Sequence, residues 1–321
     1  MEYLLYSIIF SVSAILVAFF LEWFDRKVYA RIQHRVGPKI TGPHGVLQPI
    51  ADFIKLLTKE DCLVKGSDTL LLDIGPVLSV AFVLFSLFFI PFGYSEGLLS
   101  IPGDLIIIIV LSSFVAVMIL LTGYAQKSAY ANVGAARWAE LFISFEIPFV
   151  ISLASITVAS RSITISEIIS WQAHNLPLIV IAPIALVTFI FSSLAKLEKT
   201  PFDIPEAETE IAAGWMVELS GRKLAFFRLT KDLEYLLLSA LGAVIFLGGP
   251  IGPSLPGLEL IFGIIWMAIK TIIFALVFSI LRGLVARYRI DQAIHLFWHK
   301  VIPLTFFQLI IIVILGLFGF I

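Results

Sequence analysis

Carboxylates set in apolar surroundings are the residues here with chemistry to offer. Glu140 and Glu146 fall inside a long hydrophobic stretch, with Pro148 close behind them. An ionised side chain at mid-membrane costs at least about 2.5–3.5 kcal/mol on insertion scales, so it is paired, protonated or turned towards a hydrated cavity. Pro148 removes a backbone donor from the same stretch and can free a carbonyl for water. The pattern suits a route for protons; the competing reading is a buried ion pair with Arg137 or Lys270. Lys270 lies near the middle of another apolar stretch, too deep to reach either surface. It calls for a carboxylate partner or the loss of its proton, which would place it in one polar system with Glu140 and Glu146.

The densest run of acids is Asp203, Glu206, Glu208 and Glu210. Asp203 and Glu206 fit a capping box, Pro205 suits a first helical turn, and acids there complement the helix dipole. Against that local reading, Glu206 and Glu210 would share one helical face, where like charges repel. Glu218 would extend the face past Gly214. So many acids beside a membrane favour proton handling over capping. His295 and His299 are spaced i, i+4, but no third ligand accompanies them, so a metal site is not expected. The glycines around Gly37, Gly42 and Gly45 mark turns and match no phosphate-binding loop.

These side chains need a membrane around them. Of 321 residues, 60% are apolar and 14% charged, whereas about a quarter of a soluble domain is charged. A net charge of −1 lacks the basic excess of a nucleic-acid binder. The single cysteine, Cys62, leaves no internal disulfide and no cysteine-ligated cluster held by this chain alone. An all-α polytopic protein is expected, one transmembrane domain over residues 1–321. Eight spans are expected: Leu4–Phe24, Ile74–Phe92, Leu105–Gly123, Ala139–Ser160, Leu176–Ala195, Leu233–Leu247, Leu258–Leu281 and Val301–Ile321. The connections that alternate on one side hold 20 of the 22 Lys and Arg residues. The positive-inside bias therefore places those loops in the cytoplasm and both termini outside, in a cell membrane. Two of these loops are long, 25–73 and 196–232. Within the first, Val46, Leu47, Ile50, Phe53, Ile54 and Leu57 recur at helical spacing, which predicts an amphipathic helix along the interface or across the ends of the spans.

Four segments together resemble the membrane "heel" subunit of respiratory complex I, the H-subunit or NADH dehydrogenase subunit 1 family, which has counterparts in membrane-bound [NiFe] hydrogenases and other ferredoxin-linked complexes. The first runs from Glu22, Arg26 and Lys27 through Gln33, Arg35, Gly37-Pro38, Gly42-Pro43, Gln48, Asp52 and Lys55 to Lys59-Glu60. The second is Arg137 with Ser144, Phe145 and Glu146. The third is Pro201-Phe202-Asp203-Ile204-Pro205-Glu206-Ala207-Glu208 with Glu210, Gly214 and Glu218. The fourth is Arg287-Tyr288-Arg289 with Asp291-Gln292.

The resemblance implies a non-catalytic subunit that anchors a peripheral redox arm and couples it to antiporter-like membrane subunits that pump protons or sodium ions. Iron–sulfur clusters, and a NiFe centre in the hydrogenase branch, would belong to partner subunits. The implied proton path runs through Glu22, Glu146, Asp203, Glu206, Glu208, Glu210 and Glu218, with Glu140 and Lys270 alongside. Arg26, Arg35, Lys55, Arg137 and Arg289, with Asp291, would pair with acids or dock the arm. In the complex I branch the amphipathic segment and the acidic loop also frame a quinone entrance. Three departures from that branch, Glu140-Leu141 in place of Ala-Gln, Phe145 in place of tyrosine, and Glu198 or Lys199 in place of arginine, point instead to the quinone-free, hydrogenase-like branch.

Overall fold

Long apolar runs fold as helices, because inside a bilayer each backbone N–H and C=O must find its partner within the chain. The computed structural model describes residues 2–62, 64–94 and 96–318, and all regular structure among them is helical. The helices are α1 (Glu2–Ile32), α2 (Gln48–Thr58), α3 (Thr69–Leu87), α4 (Asp104–Ala125), α5 (Ala129–Ser160), α6 (Ile165–His174), α7 (Leu178–Ile181), α8 (Pro183–Lys196), α9 (Glu208–Ile211), α10 (Gly221–Leu247), α11 (Glu259–Leu284), α12 (Ile290–Leu296) and α13 (Ile302–Leu317). Six stretches are long and apolar enough to cross a membrane: α1 from Leu5, α3, α4, α5, α11, and Ile290–Leu317.

The expected fifth span, Leu176–Ala195, is not one helix. It breaks at Ala182 into the single turn of α7 and the 14-residue α8, because Pro183 lacks the N–H that would continue the ladder and suits a helix start instead. The expected sixth span, Leu233–Leu247, is the second half of α10, whose first half carries Arg222, Lys223, Arg228, Lys231 and Asp232. The end of the expected last span, residues 319–321, lies outside the described residues.

Every residue of α10 from Leu233 to Phe246 is buried, as a helix apolar on all sides must be. It forms the axis of the bundle, packed by α1, α2, α3 and α11, while α5 joins α4, α8 and α13 beside it. The far end of this axis explains Lys270. A helix leaves its last carbonyls without partners, and no water is at hand in an apolar interior. The Lys270 ammonium donates to the carbonyls of Leu247, Gly249 and Ile251 at 2.7, 2.8 and 2.7 Å, and Gln172 donates to those of Val244 and Ile245. Three donors meet three acceptors. Among the described residues, Lys270 therefore pairs with no carboxylate and belongs to a helix end, away from the buried glutamates.

The link from α8 to α10 also departs from local expectation. No helix runs from Asp203 to Glu218, and α9 is one turn long. Ala212 and Ala213 adopt left-handed backbone, and the expected capping box at Asp203 does not form. Tertiary packing overrides propensity here. The loop lies directly on α5, and a Cβ on Gly134 would sit 2.4 Å from the Trp215 nitrogen. Gly214, at φ +57°, brings the chain so close to itself that a Cβ would lie 1.8 Å from the Pro205 carbonyl.

Candidate functional site

A cavity of about 620 Å³ opens where α1, α2, α10, the acidic loop and the end of α11 converge. One wall is apolar, formed by Phe19, Pro49, Phe53, Leu56 and Leu229. The other walls are ionic, with Glu22, Arg26 and Asp52 on one side and Glu198, Lys199, Asp203, Glu206, Lys231, Asp232 and Arg287 on the other. The amphipathic α2 supplies both characters: Leu56 is buried under it while Ile54 and Lys55 are exposed.

Ion pairs hold these walls. Arg26 links Glu22 and Asp52, each at 2.7 Å, so α1 and α2 share one guanidinium. Burial pushes the Asp52 carboxyl up, but hydrogen bonds from Arg26 and Gln48 outweigh that and hold it below its ordinary range. Asp203 is pushed up by burial, against the pull of Arg287 at 3.1 Å. Glu206 is held well above the carboxylate range, first by burial and then by Glu198 beside it. Glu210 points outward to Arg137 at 2.6 Å, and that hydrogen bond lowers it.

A second set of charges, partly shared with the cavity wall, is more buried, and apart from Glu146 the sequence assigns it no role. Asp25, fully buried, accepts from Lys199 at 2.8 Å, from Ser279 at 2.6 Å and from Arg282. Lys199 also lies over the ring of Tyr235, 3.5 Å from its centroid. Glu198, buried, accepts from Lys231 and from the Trp215 indole at 2.9 Å. One turn below Lys231, Glu234 is buried, and its Oε2 has no hydrogen-bond partner among the described residues. Lys196, Lys231, Glu198 and Glu146 all act on it electrostatically. Glu146 completes the series, bound to Lys196 at 3.2 Å and to Ser113 at 2.5 Å. Two of these carboxyl groups hold a lysine directly, Glu198 that of Lys231 and Glu146 that of Lys196, and Glu234 lies buried in α10 three residues after Lys231. The available signal was the cluster Lys231, Asp232 and Glu234 at the head of an apolar helix, and Lys196 at the tail of another.

The remaining candidates scatter. Glu208 is exposed at the cavity rim. Glu218 is half-buried behind the loop with Gln126 and Lys223, in a separate small pocket. Glu140 is exposed on the outer face of α5 and joins none of these groups. Neither Arg137 nor Lys270 pairs with Glu146. Arg35 and Lys55 are exposed, and Arg289 pairs with Asp291 at 3.5 Å on the surface. His295, near the end of α12, stacks on His299 of the π-helical turn that follows, centroids 4.2 Å apart, and both are exposed.

A bundle of membrane-length helices around an ionic cavity defines a polytopic membrane protein. More particularly, the chain belongs to the NADH dehydrogenase family, whose model matches residues 5–313. It is 35% identical to the H subunit of the NADH-quinone oxidoreductase of Thermomicrobium roseum, over 95% of this chain and 92% of that one. It is equally 35% identical to the second H subunit of the NADH-quinone oxidoreductase of Geobacter sulfurreducens (95% and 93%). The corresponding second H subunit of Syntrophobacter fumaroxidans is 34% identical (92% and 90%).

Proposed function

We propose that this chain is the quinone-side membrane subunit of a complex I-type oxidoreductase, and that it couples quinone reduction to ion pumping through its buried carboxylates. The observation that carries the reading is the cavity, with its apolar α1–α2 wall and its ionic opposite wall. Its volume falls in the range of about 300–1,000 Å³ usual for small-molecule sites. The apolar wall suits an isoprenoid tail, and the charged walls suit a ring that takes up two electrons and two protons. The relatives carry quinone in their names. Their names favour this reading over the hydrogenase-like branch to which Glu140-Leu141, Phe145 and Glu198 or Lys199 point.

In this reading partner subunits docked on the loops 25–73 and 196–232 deliver the electrons, since a chain with one cysteine holds no cysteine-ligated cluster of its own. The basic loops lie in the cytoplasm, and eight crossings result if α7–α8 and α10 each span. Protons drawn from Glu206 and Glu198 by the reduced ring are replaced along Glu234 and Glu146, and the changed field biases the antiporter-like neighbours. A photoreactive quinone analogue added to the purified complex should label peptides from α1, α2 and the loop before α10, and excess quinone should suppress the label. Hydrogen evolution from a low-potential donor, with neither labelling nor quinone reduction, would overturn the reading.

A further inference from the structure

The last membrane-length stretch, Ile290–Leu317, carries a polar head and an apolar body on one exposed side. The head is His295, His299 and Lys300. The two imidazoles lie face to face, centroids 4.2 Å apart and planes 14° from parallel. His299 and Lys300 belong to the π turn Phe297–Val301, a winding that recurs at functional sites. Arg289 takes up the nearest acid in sequence, Asp291, at 3.5 Å, and among the described residues no acid pairs with His295, His299 or Lys300. Between the two histidines Trp298, half-exposed, donates its indole N–H to the Ser144 hydroxyl of α5 at 3.3 Å. A tryptophan so placed marks the level of the lipid headgroups. Below the head, the same side continues through Pro303, Phe306 and Ile310, all exposed and spaced by three and four from His299.

We infer that this side seats one anionic phospholipid, its phosphate held by His295, His299 and Lys300 and its acyl chains laid along Phe306, Phe307 and Ile310. An imidazole offers an N–H to a phosphate oxygen whether it is neutral or charged, and the Lys300 ammonium supplies a full positive charge. Two rings stacked this closely repel each other when both are protonated, and an anion at their edge offsets that repulsion. The body fits as well as the head. From His299 to Ile310 the helix rises about 16 Å, which is about half of a hydrocarbon core of about 30 Å and so the depth of one leaflet. A second helix is the less suitable occupant, because helices in membranes close on small residues. Here every exposed side chain from Leu304 to Ile314 is bulky, and fluid acyl chains mould to such a surface.

The inference stands apart from what the cavity binds. Its test exchanges the intact complex into nanodiscs holding photoreactive phosphatidylglycerol or photoreactive phosphatidylcholine with identical chains, and counts labelled peptides of Ile290–Leu317 by mass spectrometry. In the parent, phosphatidylglycerol should label this stretch about fivefold more than phosphatidylcholine, or better, and inorganic phosphate at equal concentration should not displace it. His299→Gln combined with Lys300→Gln should bring the two lipids to equal labelling. Lys55→Gln, which removes an exposed cation on α2, should leave the preference intact. Equal labelling in the parent would overturn the inference, as would loss of the label to inorganic phosphate alone. Protection of this stretch from both lipids by a neighbouring subunit would overturn it in favour of a protein contact. Should the double variant fail to assemble, the comparison of the two lipids on the parent decides alone.

Discussion

Asp25 gathers Lys199, Arg282 and Ser279 around one carboxylate with no access to water. Removing one partner of a buried ionic group leaves the others uncompensated, at a cost of about 3–5 kcal/mol. Asp25→Asn should therefore lower the thermal midpoint of the purified complex sharply, and an unchanged midpoint would show that the cluster is hydrated. Glu206 sets a pH dependence of definite sign. Its folded-state proton affinity stands well above that of an ordinary glutamate at 4.5. The folded chain then binds this proton more tightly than the unfolded chain. The associated stabilisation is full below the unfolded value and lost as pH rises through the raised one, by about 1.4 kcal/mol for each tenfold difference in affinity. Glu206→Gln should melt higher than the parent at about pH 8 and differ little at about pH 4. An equal gain at both would locate the effect in packing rather than titration.

The elements that place these residues depend on two close fits. α5 carries Glu146, and it admits the acidic loop because Gly134 has no side chain where Trp215 passes. Gly134→Ala should overpack this crossing, costing about 1–3 kcal/mol, and should increase proteolytic nicking of the loop before α10; resistance equal to the parent would count against the close fit. At the other end, Lys270→Met would orphan three carbonyls, at about 1–3 kcal/mol for each one left unsatisfied, so its melting loss should exceed that of an exposed lysine such as Lys55. Apolar length made most of the long helices legible in the sequence. The helix ends were harder to read. Nothing in the spacing of Lys270 shows that its partners are the carbonyls at the end of α10 and in the turn just after it. The capping signal of Asp203 and Glu206 was genuine as local chemistry, but the crossing at Gly134 and Gly214 outweighed it.

Taken whole, the molecule carries most of its charge at the loop-rich end, with a group of buried charges inward of it and Lys270 apart at the far end of α10. Glu146 stood out from sequence because an acid in an apolar span is conspicuous. Asp25, Glu198 and Glu234 did not, because each lies at the edge of its apolar run, Asp25 and Glu198 just inside a loop and Glu234 at the first turn of an expected span, until the fold buries it. Glu140 shares an apolar stretch with Glu146, yet six residues along α5 turn it about 120° away, onto an exposed face. The line of carboxyl groups from the cavity to Glu146 is the central claim, and the ratio of ions pumped to electrons transferred tests it most directly. Glu146→Gln in the intact, liposome-reconstituted complex should bring that ratio to background. A ratio equal to the parent's would contradict the account and leave these acids as structural ion pairs.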